Sequence, residues 1–131
     1  IDYQLPVWSS PAIDLIHFLN ISPQLDIKYS NDDAFLDKYL VKLSKTMKTI
    51  GCRAKPPTME QLKRSMHKRR IYALMTSLAL YPKMLREGDD VETLDDITRK
   101  GKSTADPLKD PMARATIEKI LPILNERGYL D

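Results

Sequence analysis

Cysteine is nearly absent. Cys52 is the only one in 131 residues, so no internal disulfide can form and no cysteine cluster can hold a metal. That usage fits a reducing compartment, and a cytoplasmic location is expected. Long apolar runs are missing too: none approaches the roughly 18 residues of a membrane span, and no basic-then-apolar leader is present. A membrane partner is therefore not expected. A large excess of one charge sign is also missing, since the formal net charge is +3 and the pI about 9.0; so mild a balance calls for neither nucleic acid nor a membrane surface. There is no internal repeat and no low-complexity tract.

What is present is ordinary for a globular chain. Hydrophobic residues make up 42% and charged residues 30%, too apolar for disorder and enough, at this length, for a sizeable core. One domain is expected over 1–131, mainly α, with at most a strand end at residues 1–4. Ser10 followed by Pro11 opens a first helix to about Asn20, apolar on most sides and hence buried. His17 inside it reads as a core residue bonded to backbone. Residues 20–32 carry turn chemistry with one short helical turn.

Asn31 or Asp32 then caps a second helix. Its apolar positions Leu36, Leu40, Leu43, Met47 and Ile50 recur at alternating spacings of four and three, a one-faced period, and Gly51 supplies its left-handed stop. Pro56 and Pro57 bar continuation, and Thr58 with Gln61 forms a capping box that restarts the chain as a long helix. That helix is amphipathic and basic from Met59 to Arg70 and apolar on nearly every side from Ile71 to Tyr81, until Pro82 kinks or ends it. Residues 98–110 read as a mobile linker. Asp110 and Pro111 open a last helix with an apolar face of Met112, Ile117, Ile120, Leu121 and Leu124; Pro122 bends it and Gly128 stops it.

Two charge clusters invite a functional reading. KRSMHKRR, residues 63–70, holds five permanent positive charges, but no stacking aromatic is interleaved among them, so a solvated helix face is the plainer account. The acidic stretch Glu87–Asp96 has six carboxylates without the glycine and alternating spacing of a calcium loop.

Two carboxylates sit where packing alone does not put them. Asp2 lies between Ile1 and Tyr3, and Asp14 stands in the apolar run Ala12–Leu19; buried carboxylates are seldom left without a partner. Residues 1–4 also describe the end of an ordinary strand, and Asp14 suits a helix N-terminus through the macrodipole.

The pattern Ile1-Asp2-Tyr3-Gln4, a short polar loop, Ser10-Pro11, and Asp14-Leu15 opening an apolar helix resembles the ecdysteroid-kinase-like branch of the choline and aminoglycoside kinase superfamily. DDAFLDKYLVKLSKTMKTIGC, the PPTMEQLKRSMHKRRIYALMTSLALYPKML run and the closing ILPILNERGYLD are similar to that family's C-terminal region, in order and spacing. The resemblance implies a phosphotransferase of protein-kinase-like α+β fold, of which this chain is the C-terminal helical part. It implies ATP and Mg²⁺ as cofactors of the whole protein, with Asp2 as the metal- and cofactor-binding residue. It also implies that Asp14 matches a buried helix aspartate that steadies the catalytic loop. Tyr3 replaces the more usual Phe, and Gln4 stands where protein kinases have Gly.

No Gly-rich loop or nucleotide-pairing lysine is present, and neither histidine is followed by Gly-Asp. The chain starts at Ile1 without a methionine, so it reads as part of a longer protein whose missing N-terminal portion is its first partner. Alone it is expected to be inactive. The implied reaction is phosphorylation of a hydroxyl on an ecdysteroid or similar lipophilic alcohol; the apolar segment with Tyr72, Met75, Leu78 and Tyr81 suits such an acceptor, although core packing explains each of them as well. The competing reading is a non-catalytic helical module that uses residues 63–70 to bind a partner or nucleic acid.

Overall fold

Helices dominate the computed structural model, which describes residues 7–85, 92–102 and 106–131, apart from the side chains of Leu94 and Pro107. The order is α1 (Ala12–Ile21), α2 (Asp32–Thr49), α3 (Met59–His67), α4 (Arg70–Leu74), a π-helical turn (Met75–Leu80), α5 (Tyr81–Met84), α6 (Leu94–Lys100), a 3₁₀ turn (Pro107–Lys109) and α7 (Pro111–Glu126). The fold is mainly α, with no strand among the described residues. The expected strand end at residues 1–4 lies outside them. No helix of the described residues is long and apolar enough to cross a membrane. The chain forms two compact units, residues 1–73 and 74–131.

In the first unit α1 and α2 both pack on α3. Ala12, Ile16 and Leu19 of α1, Leu36 of α2, and Leu62 and Met66 of α3 are buried, each large side chain contributing roughly 1.5–3 kcal/mol. Their spacings of three and four are those of single helix faces. The expectation that α1 is buried nearly all round is corrected: Phe18 is exposed, with its ring edge-on to Phe35 at 5.9 Å. In α2 the expected stripe is present, but it rises out of the core along its length until Ile50 is 71% exposed.

Helix ends follow local chemistry. Ser10 Oγ accepts the Ala12 N–H (3.3 Å). Thr58 and Gln61 bond reciprocally as the expected capping box, and Thr93 with Asp96 forms a second box at α6, whose hydrogen bonds from Thr93 hold the Asp96 carboxyl below the usual carboxylate range. Gly51 (φ 67°) ends α2: its N–H reaches Lys48 O and that of Cys52 reaches Met47 O, the paired bonds of a Schellman stop.

The expected long helix over 59–81 is broken, and the break has a local cause. At Arg69 the backbone N–H turns to Met66 O (2.8 Å), while its own guanidinium Nη1 donates to Ser65 O (2.9 Å). The side chain thus supplies the bond that the helical backbone would have made. Downstream, the segment expected to be apolar and buried on every side leaves Ile71 and Met75 in solvent and buries Thr76 and Ser77. Its π turn lies just ahead of Pro82, with Tyr81 N–H bonded to Thr76 O five residues back. Proline lacks an N–H and its ring crowds the carbonyl four residues earlier; the wider turn relieves that crowding.

In the second unit α7 packs against the π turn, α5 and the 3₁₀ turn. Its buried face is Ala113, Thr116, Ile120 and Leu124, so Met112 and Leu121 of the expected face lie in solvent instead. Asp110 accepts the N–H groups of Met112 and Ala113, both at 2.9 Å. Within the stretch read as linker, residues 98–100 complete α6 and residues 107–109 form the 3₁₀ turn.

Candidate functional site

Asp2, the expected metal ligand, lies outside the described residues, so the geometry begins at α1. Asp14 does not occupy the buried position that the resemblance implies. It is exposed in the first turn of α1, where the helix dipole favours a carboxylate, and hence needs no partner to offset burial. His17, three residues on, shares that face. It is exposed instead of buried, and its Nδ1 shares a hydrogen bond with the Tyr72 hydroxyl at 3.0 Å, the two rings stacked 6.3 Å apart. Burial chiefly, and the Asp14 carboxylate secondarily, push the hydroxyls of Tyr39 and Tyr72 above the ordinary phenol range. Asp14, His17, Tyr39 and Tyr72 therefore form one polar surface cluster joining α1, α2 and α4, in which both phenols keep their protons at neutral pH. Of the other side chains suited to a lipophilic acceptor, Met75 is exposed and Tyr81 buried.

A second polar group sits under the C-terminal end of α1. Asn20 is buried and donates from Nδ2 to Ile16 O (2.8 Å). Its Oδ1 accepts the Tyr29 hydroxyl (3.1 Å) and its carbonyl accepts the Lys28 ammonium (2.7 Å). A cation there complements the orphan carbonyls and negative dipole end of the helix. Tyr29 adopts a left-handed backbone (φ 71°), a conformation costing a non-glycine residue about 1–2 kcal/mol, and its hydroxyl bond to Asn20 helps to hold it.

The basic segment 63–70 is not a uniform solvated fringe. Lys63 pairs with Asp33 at 2.7 Å, Arg64 pairs with Glu60, and Arg69 Nη1 donates to Ser65 Oγ (2.8 Å) as well as to its carbonyl. Ser65 Oγ in turn shares a hydrogen bond with Ser10 Oγ (3.1 Å). Gln61, Arg64, Ser65, Lys68 and Arg69 line an open cleft of about 310 Å³. Their spacing, three, one, three and one, marks a single helix face, which adjoins the buried Leu62 and Met66. That spacing was readable in the sequence; the clefted, internally bonded arrangement was not, because it depends on Ser10, more than fifty residues away. No group of three or more potential metal ligands occurs among the described residues, the described part of the acidic stretch included.

Comparison with known proteins bears on the N-terminal part of the chain, the loop, α1 and α2. Residues 1–52 match the model of the ecdysteroid kinase-like family. No curated protein and no solved structure matches the chain. The ecdysteroid kinase-like match covers the Asp2 motif, Asp14, His17, Lys28 and the whole of α2, and it stops at Cys52, before the basic cleft and the second unit. It supports a kinase-like function at the level of that family.

Proposed function

We propose that the chain is the C-terminal part of an ATP-dependent small-molecule kinase that phosphorylates a hydroxyl group on an ecdysteroid or similar lipophilic alcohol. The observation that carries this reading is the family match over residues 1–52. The match includes Asp2, a hard oxygen donor of the kind Mg²⁺ takes when one or two carboxylates and substrate phosphates complete its sphere. On this reading Asp2 is the metal ligand of the whole protein, and the bound ion neutralises charge on the nucleotide phosphates. The glycine-rich loop, nucleotide-pairing lysine and catalytic loop belong to a preceding segment of the same cytoplasmic protein, and the 131 residues alone are inactive.

Tyr72, tied to His17, and Tyr39 keep their hydroxyl protons near neutral pH, so neither phenol acts as a base on this reading. The substitution Asp2→Asn in the full-length protein tests the metal role. Phosphoryl transfer, followed by ADP release, is expected to fall to background while the melting temperature stays within a few degrees of wild type. Turnover retained in the folded variant would remove Asp2 from the reaction.

A further inference from the structure

The cleft on α3 has a one-sided chemistry. Its acceptors Gln61 Oε1, which takes the Thr58 N–H (2.9 Å), and Ser65 Oγ and Ser65 O, which both take Arg69 Nη1, are already engaged. No carboxylate of the described residues lines the space. What is left is a set of donors: the Gln61 amide NH₂, the Lys68 ammonium, and the remaining guanidinium N–H groups of Arg64 and Arg69. A cation is repelled by such a set, and a neutral polyol finds no acceptor for its own hydroxyls. An anion satisfies it.

Charge narrows the class. Glu60 offsets Arg64, which leaves Lys68 and Arg69 as two lining cations without a carboxylate partner among the described residues. A phosphate monoester carries between one and two negative charges near neutral pH and three acceptor oxygens, a match that a singly charged carboxylate lacks. Arg69 is held at its Nη1 by Ser65 and so presents its other N–H groups in a fixed fork, the geometry that suits phosphate. The size agrees, since about 310 Å³ is at the small end of ligand sites, which run from roughly 300 to 1,000 Å³. Nucleic acid fits less well: no aromatic of the described residues lines the cleft for base stacking, and neighbouring Lys63 is tied to Asp33.

We propose that this cleft binds a phosphate dianion, inorganic or at the end of a small organic ester, with Lys68 and Arg69 as its main ligands. The proposal does not depend on the phosphotransfer reading. Titration calorimetry of the full-length protein at fixed ionic strength, without nucleotide or Mg²⁺, compares inorganic phosphate with phenyl phosphate. Similar affinities identify the phosphoryl group alone as the ligand; much tighter binding of phenyl phosphate identifies an organic ester.

Two variants localise the binding, because each removes one positive charge from the same helical stretch. Lys68→Ala is expected to weaken phosphate binding about tenfold, the worth of one charge-assisted hydrogen bond. Lys63→Ala, outside the cleft, is expected to weaken it less than about twofold, as suits an exposed charge. Lys68→Arg should bind nearly as wild type. Far-ultraviolet circular dichroism checks the fold, with Lys68→Gln in place of Lys68→Ala if helix content falls. Equal weakening by Lys63→Ala and Lys68→Ala, or phosphate binding no tighter than that of chloride, would overturn the proposal.

Discussion

Lys28 is the residue whose environment departs furthest from what its type suggests. It is only 3% exposed, and burial lowers its pKa from 10.5 to about 8, with the Asp32 carboxylate working in the opposite direction. Between those two values the unfolded chain holds a proton that the folded chain has lost, so stability rises with pH across the window and the full cost of the buried charge is felt below it. Urea titrations of wild type and Lys28→Met should show wild type gaining on the variant as pH rises from about 8 to about 10; a difference that does not move with pH would mean that the ammonium is hydrated in the folded protein. None of this was legible in the sequence, where Lys28 stands in a stretch of turn chemistry with one short helical turn. Its burial depends on Asn20 and Tyr29 meeting at the end of α1. His17 went the other way: an apolar neighbourhood in sequence suggested the core, but the helix turns it to the solvent side, where Tyr72 is in reach.

At the scale of the elements, the signals that were read correctly are those confined to one turn of chain. The Thr58–Gln61 box, the Asp110 cap and the Gly51 stop each involve groups three to five residues apart, so composition and spacing suffice. Thr58→Ala should cost about 1 kcal/mol of stability by denaturant unfolding, and a loss below about 0.3 kcal/mol would show that α3 is held by packing alone. The Thr93–Asp96 box has the same signature, masked by its place at the edge of an acidic stretch. The break after α3 was not legible. Periodicity runs through residues 59–81 without interruption, and the break goes with a side-chain rotamer that composition does not specify: Arg69 Nη1 donates to the Ser65 O that its backbone N–H would have bonded. Pro82, by contrast, announced a disturbance, although not its form as a π turn placed ahead of the proline.

For the whole molecule, the mainly helical class was legible from periodicity, and the register of the last helix was not. Met112, Ile117, Ile120, Leu121 and Leu124 all qualify as apolar, yet α7 buries the line Ala113–Thr116–Ile120–Leu124. Small residues at 113 and 116 let the helix approach its neighbours, a packing fact that hydrophobicity alone does not carry. Ile120→Ala should therefore cost roughly 2–5 kcal/mol, while Met112→Ala, 61% exposed in wild type, should change stability by less than about 0.5 kcal/mol; comparable losses would restore the wider face. The similarity to the ecdysteroid kinase-like family was legible in the residues from Ile1 to Cys52, the stretch that the family model matches. The basic cleft lies beyond it and rests on structure. The most direct measurement of the central claim is phosphoryl transfer itself: the full-length protein incubated with ATP, Mg²⁺ and a panel of steroid and other lipophilic alcohols, with products weighed by mass spectrometry. The account predicts a phosphate ester on at least one free-hydroxyl compound and none on the same compound with that hydroxyl blocked. Folded, ATP-binding protein that esterifies no hydroxyl compound would contradict it.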